Sequence, residues 1–230
     1  MHDRERKSPF ARRRRHGSAV RRRPWLAPLC VFAHLAWRAM EADPLPRRIA
    51  WIGGRCTPYP QMLVRATDGD DRLLSRSLFI QAPNRATRLW AADLALRSSA
   101  IGAILIDGSG FDTAATRRLH LLAKTHGKLV LSARPLDECD TLSAAITRWV
   151  VRPQTPGEMM ARPVAGPRLQ VSLIRCKTTA AQDGDLNWLL EWKHGEGALD
   201  LSRPLARPAG PTETTATEPL DGRLRRVAFG

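Results

Sequence analysis

The sequence predicts an α/β fold: a mainly parallel sheet with a C-terminal antiparallel hairpin. Three short apolar runs, "RIAWIGG", "IGAILIDG" and "KLVLSA", have the unbroken composition of parallel strands buried on both faces. Segments with helical spacing and recognisable caps separate them, so strand and helix alternate as in βαβ units. Beyond Arg134 the pattern changes to alternating apolar and polar residues, as in antiparallel strands with one wet face.

In chain order, residues 1–24 form a basic arm, with Arg12, Arg13, Arg14 and Arg15 in one run and Arg21, Arg22 and Arg23 in another. Like charges at this density repel and resist folding, so the arm is expected to be disordered. The folded domain is expected over 25–202. Its first element is a helix from Leu29 to Met40, apolar on most sides because it packs on a sheet. The run from Arg48 is a strand that ends at Gly53 and Gly54. "SLFIQAP" predicts a second strand, closed by Pro83. Asn84 can cap a helix running from Arg85 to about Ser99, and the strand "IGAILID" follows. Asp112 caps a further helix, whose Ala115, Leu119, Leu122 and Ala123 recur at helical spacing and which Gly127 stops in the left-handed conformation. "KLVLSA" is the next strand. "TRWVV" is strand-like, and a Pro/Met/Gly loop runs from Arg152 to Pro167. "RLQVSLIRC" and "NWLLEW" then flank a turn-prone stretch and predict a hairpin beside the parallel sheet. Residues 203–230 are Pro/Thr/Ala-rich and are expected to be a disordered tail, ending in "LRRVAFG".

The chain has 230 residues and a formal net charge of +15. The first 50 residues hold 13 Lys/Arg against 4 Asp/Glu, and the remainder hold 24 against 18, so the arm carries most of the excess. Such an arm attracts polyanions, nucleic acid first among them. The alternatives are a merely solvated arm or a misassigned start. The four cysteines make no C-x-x-C pair and read as free thiols in a reducing compartment; a cytoplasmic location is expected. His120 and His126 are six apart and miss zinc-ligand spacing. "RRRPWLAPLCVFAHLAW" has the order of a signal peptide, but His34 and Arg38 interrupt it and it falls short of the ~20 apolar residues of a membrane span. Neither secretion nor membrane insertion is expected.

The strand ending on Asp107 is how a nucleotide-binding α/β domain delivers its Walker-B aspartate. Binding ATP phosphates also needs a Gly-rich loop at a helix N-terminus and a lysine. The G-x-x-x-x-G-K-[ST] pattern does not occur in this sequence; the one Gly-Lys pair, Gly127-Lys128, leaves a helix for a strand. No cofactor and no catalytic residue is therefore expected. Asp107 reads as a relic that caps its strand.

The ordered set "IAWIGG", "LFIQAPNRATRLWAADLALRSSAIGAILID", "TRRLHLLAKTHGKLVLSARP" and "RLQVSLIRCK…WLLEWKHGEG" resembles the RecA core. It resembles more closely the RecA-like accessory proteins of bacterial error-prone repair (ImuA, also labelled SulA-like), over about two thirds of the chain. The resemblance places Asp107 at the Walker-B position. It puts Gly53, Gly54 and Arg55 where the RecA catalytic glutamate would lie, and Arg134 near the polar switch residue. It implies a non-catalytic adaptor in SOS-induced translesion DNA synthesis. The implied partners are a Y-family polymerase-like protein, an error-prone replicative-type DNA polymerase and RecA itself. RecA-type domains contact DNA through loops, which makes Arg152, Arg162 and Arg168, with the seven arginines of the arm, candidate nucleic-acid contacts. The loop has no aromatic for base stacking, so binding should be sequence-neutral. Two alternatives stay open: a SulA-like inhibitor that binds the tubulin-like division protein, and a recombinase-type ATPase whose phosphate loop lies upstream of a wrong start. Trp90, Trp149, Trp188 and Trp192 are expected to serve core packing, with a binding surface the other reading.

Overall fold

The computed structural model describes residues 25–67, 69–154, 168–177, 186–192 and 199–204. The expected arm, Arg162, and the tail beyond Pro204 lie outside the described residues. Two four-stranded sheets organise the described residues.

The first sheet is wholly parallel, in the order β2-β1-β3-β4. Its strands are β1 (Arg48–Ile52), β2 (Ser77–Ile80), β3 (Ile101–Asp107) and β4 (Leu129–Ala133). Strand alternation sends Ile49, Trp51, Ala103 and Leu105 to one face, where they pack with Phe32, Ala33, Ala36 and Met40 of helix α1 (Leu29–Ala42). Leu63 of α2 (Pro60–Arg65) and Leu73 of α3 (Arg72–Ser75) complete that layer. Ala50, Ile52, Ile104 and Ile106 face the other way. They meet Ala91, Ala92 and Leu96 of α4 (Arg85–Arg97) and Ala115 and Leu119 of α5 (Thr113–His126). This three-layer arrangement is why the central strands read as unbroken apolar runs: both faces are covered.

The caps do what their chemistry requires. Asn84 Oδ1 accepts from Thr87 N at 2.9 Å, and Thr87 Oγ1 accepts from Asn84 N at 3.3 Å, a reciprocal capping box at the start of α4. Asp112 Oδ1 accepts from Ala115 N at 2.8 Å at the start of α5. Gly127 ends α5 with φ +60°. Strand β2 stops at Ile80, three residues before Pro83, because it is an edge strand whose last backbone partner on β1 is Ile52.

The second sheet is antiparallel and separate, in the order β5-β6-β7-β8. It contains β5 (Thr147–Pro153), β6 (Arg168–Cys176), β7 (Leu186–Trp192) and β8 (Leu199–Pro204). The hairpin expected beside the parallel sheet is thus the centre of an independent sheet, flanked by β5 and β8. Strand β5 extends past Val151 because Arg152 and Pro153 pair with Gln170 and Leu169, so Arg152 belongs to a strand, not to the loop in which it was expected. The register sorts the side chains. Trp149, Val151, Leu169, Val171, Leu173, Leu186, Trp188 and Leu190 share one face, on which the Trp149 and Trp188 rings lie 5.5 Å apart. Arg148, Arg152, Arg168, Gln170, Ser172, Asn187 and Glu191 share the other, joined by a Ser172–Asn187 hydrogen bond and an Arg168–Glu191 ion pair. The linker between the sheets is tied to α5, with Ala144 N donating to Thr116 Oγ1 at 3.0 Å.

Candidate functional site

In open α/β sheets the chemistry-bearing groups gather beyond the carboxyl ends of the strands. Here that region collects Gly53, Gly54 and Arg55 after β1, Asp107, Gly108 and Ser109 after β3, and Arg134 after β4. Asp107 is 1% exposed. Its Oδ1 accepts from Ser109 N at 3.0 Å and from Ser109 Oγ at 2.6 Å, a local turn that caps the strand. Its Oδ2 accepts from Arg55 Nη1 at 3.2 Å and lies 3.8 Å from Arg88 Nη1. Both carboxylate oxygens are therefore engaged by the chain's own donors.

Arg88 is the unexpected member. It sits one turn into α4 and is buried, donating from Nη2 to Ser109 O at 2.8 Å, with its Cζ 5.8 Å from the Phe111 ring centroid. A buried guanidinium needs a carboxylate partner, and Asp107 supplies it. Gly53 makes room for this pairing. Its φ is +91°, and a Cβ there would come within 3.0 Å of both Arg88 Cδ and Asp107 Cβ. Arg55 approaches from the solvent side, with its side chain 49% exposed, and its Cζ lies 5.4 Å from the Trp25 ring centroid. Next to this group, burial first and the Asp107 charge second push the Cys56 thiol up to about 12.

The site is thus one carboxylate between two guanidiniums. A magnesium ion at Asp107 would have to displace Arg55 and stand within reach of a buried positive charge. Arg134 is committed elsewhere. It donates to Glu138 Oε2 at 2.9 and 3.1 Å and to Phe111 O at 3.0 Å, while Glu138 accepts from Gly110 N at 3.0 Å. It clamps the short helical turn Leu136–Glu138 onto the β3–α5 loop. Arg85 pairs with Asp112 across the same end of the sheet. Among the described residues no group of three or more His, Cys, Asp or Glu side chains is placed to hold a metal ion.

The candidate nucleic-acid contacts divide. Arg12, Arg13, Arg14, Arg15, Arg21, Arg22, Arg23 and Arg162 lie outside the described residues. Arg152 is exposed on β5. Arg168 starts β6 and is paired with Glu191 at 3.4 Å, its side chain only 14% exposed. The two share a face as diagonal neighbours, since Arg152 pairs with Gln170. Sequence reasoning singled out Arg55 and Asp107 but missed Arg88. An arginine in a capped amphipathic helix reads as solvent-facing, and the only available signal was the glycine opposite it.

None of the four cysteines is in a disulfide. No helix among the described residues is long and apolar enough to cross a membrane. In comparison with known proteins, no family model matches the chain and no curated protein matches it.

Proposed function

We propose that this chain is a non-catalytic RecA-like adaptor acting in SOS-induced, error-prone translesion DNA synthesis and DNA repair in the cytoplasm. The observation that carries the non-catalytic part is the occupation of Asp107 by Arg55 and Arg88. The residue that matches a Walker-B aspartate is paired with two arginines of its own chain, so a magnesium ion there would have to displace Arg55 and face the buried Arg88 charge. The ordered strand and helix motifs, which fold into a parallel sheet sandwiched by helices, support the RecA-like part. The adaptor role rests on the family resemblance, because one fold hosts many functions. Its partners on this reading are the Y-family polymerase-like protein, the error-prone replicative-type polymerase and RecA.

The test is a tagged pull-down from DNA-damaged cells with partners identified by mass spectrometry. Recovery of either polymerase-type protein or of RecA supports the adaptor. Recovery of the tubulin-like division protein alone assigns the chain to the SulA-like inhibitor class instead.

A further inference from the structure

The polar face of the antiparallel sheet carries a charge excess that its own acids do not balance. The register sets Arg148 directly opposite Arg175 across β5 and β6, with Arg152 two residues further along that face of β5. Arg168 follows on β6. Against these four arginines the described side chains of the face include one acid, Glu191, already paired with Arg168. Arg152 and Arg175 are exposed, and Lys177 continues the cationic row beyond β6.

Two like charges facing each other across neighbouring strands destabilise a sheet. Arg148 relieves part of the strain by turning to donate to Cys139 O. Burial first, and then the nearby Arg134, hold its guanidinium below the ordinary arginine value, with Arg175 adding to the effect. An external anion removes the remainder. Among the described side chains this face carries no aromatic ring, since Trp149 and Trp188 lie on the opposite side. It can therefore neutralise phosphates but offers nothing for bases to stack on.

We propose that this arginine face, with the exposed Arg152 and Arg175 at its centre, binds the phosphodiester backbone of a nucleic acid without regard to sequence. The contact surface is the polar face of the sheet itself. The inference goes beyond the adaptor reading and stands without it, since it rests on the charge and register of one sheet.

The experiment uses the full chain and a labelled oligothymidylate, followed by fluorescence anisotropy between about 50 and 200 mM salt, with a slope of about −0.7 in log K per neutralised phosphate on a single strand. In the doubly substituted Arg152→Glu, Arg175→Glu protein, affinity at low salt falls at least about tenfold and the salt slope flattens by about 1.4, two phosphate contacts' worth. Arg175→Glu places a carboxylate opposite Arg148, so the variant keeps its melting temperature; Arg152→Gln with Arg175→Gln is the milder companion and weakens binding in the same direction. A control with the same charge change on exposed positions of α5, Arg117→Glu with Lys124→Glu, stays within about twofold of the wild type, because those charges lie off the contact surface. Absence of binding by the wild type, equal losses in the control, or an unchanged salt slope in both sheet variants each overturns the proposal. Competition by polyglutamate as effective as by unlabelled oligonucleotide also overturns it, and assigns the face to an acidic protein. None of these outcomes touches the pull-down result, which stands or falls on which proteins are recovered.

Discussion

Asp107 holds together groups from three elements: Arg55 after β1, Arg88 on α4 and Ser109 after β3. Removing its charge leaves Arg88 buried without a counterion. Breaking a buried ion pair costs about 3–5 kcal/mol, and Asp107→Asn belongs near the low end because half-exposed Arg55 re-solvates. Urea unfolding should show a loss of about 3 kcal/mol for Asp107→Asn and under about 1 kcal/mol for Arg55→Ala; equal small losses would remove Asp107 from its structural role. Gly53→Ala should cost about 1–3 kcal/mol in the same assay, since it combines a φ of +91° with a Cβ 3.0 Å from Arg88 and Asp107. A neutral effect there would mean the loop adjusts freely. The Cys56 thiol, fully buried and pushed up to about 12, should resist alkylation in the native protein at about pH 8 and react only after unfolding. Rapid native labelling at Cys56 would show that this end of the sheet opens. Asp107 was legible in the sequence because it ends an apolar strand, and Arg55 only through the resemblance, which puts it where the RecA catalytic glutamate would lie. Arg88 was not, since its burial depends on a glycine 35 positions earlier that only the fold brings beside it.

At the scale of elements, helices α4 and α5 are joined by Asp93, which accepts from Arg97 at 2.9 Å on its own helix and from Arg118 at 2.8 Å on the other. Those hydrogen bonds, Arg97 first, hold the Asp93 carboxyl below its ordinary value of 3.8, and the Asp43 carboxyl is lowered in the same way by Arg47. A carboxylate depressed in the folded state adds stability that is complete above its unfolded pKa and is lost as pH falls through the folded one. The contribution of Asp93 should therefore be full above about pH 4 and fade below it, so Asp93→Asn should flatten the acid limb of the stability profile while lowering the neutral plateau only slightly. An unchanged acid limb would remove Asp93 from the linkage. The helices α1, α4 and α5 and the strands β1, β3 and β4 were readable because apolar runs and the caps Asn84, Asp112 and Gly127 all agreed on them. Helices α2 and α3 have six and four residues, too few for a period to show. Strand β8 carries Asp200, Ser202 and Pro204, a composition that argues against a strand, and only pairing with β7 makes it one. Pairing between strands far apart in sequence is likewise what separated the second sheet from the first.

Across the whole molecule, a parallel sheet closed at its carboxyl end by its own ion pairs is combined with an antiparallel sheet whose polar face is rich in arginine. The first has its charge satisfied internally, and the second presents charge outward. This division fits the proposed adaptor, with the parallel sheet as its scaffold and the charged face as its contact surface. On the proposed function, the carboxyl end of the parallel sheet performs no nucleotide chemistry. Steady-state ATP turnover by the pure full chain with magnesium and single-stranded DNA tests it most directly. No phosphate release above that of the buffer is expected, with or without DNA. Turnover that Asp107→Asn abolishes would contradict it and make Asp107 a working metal ligand.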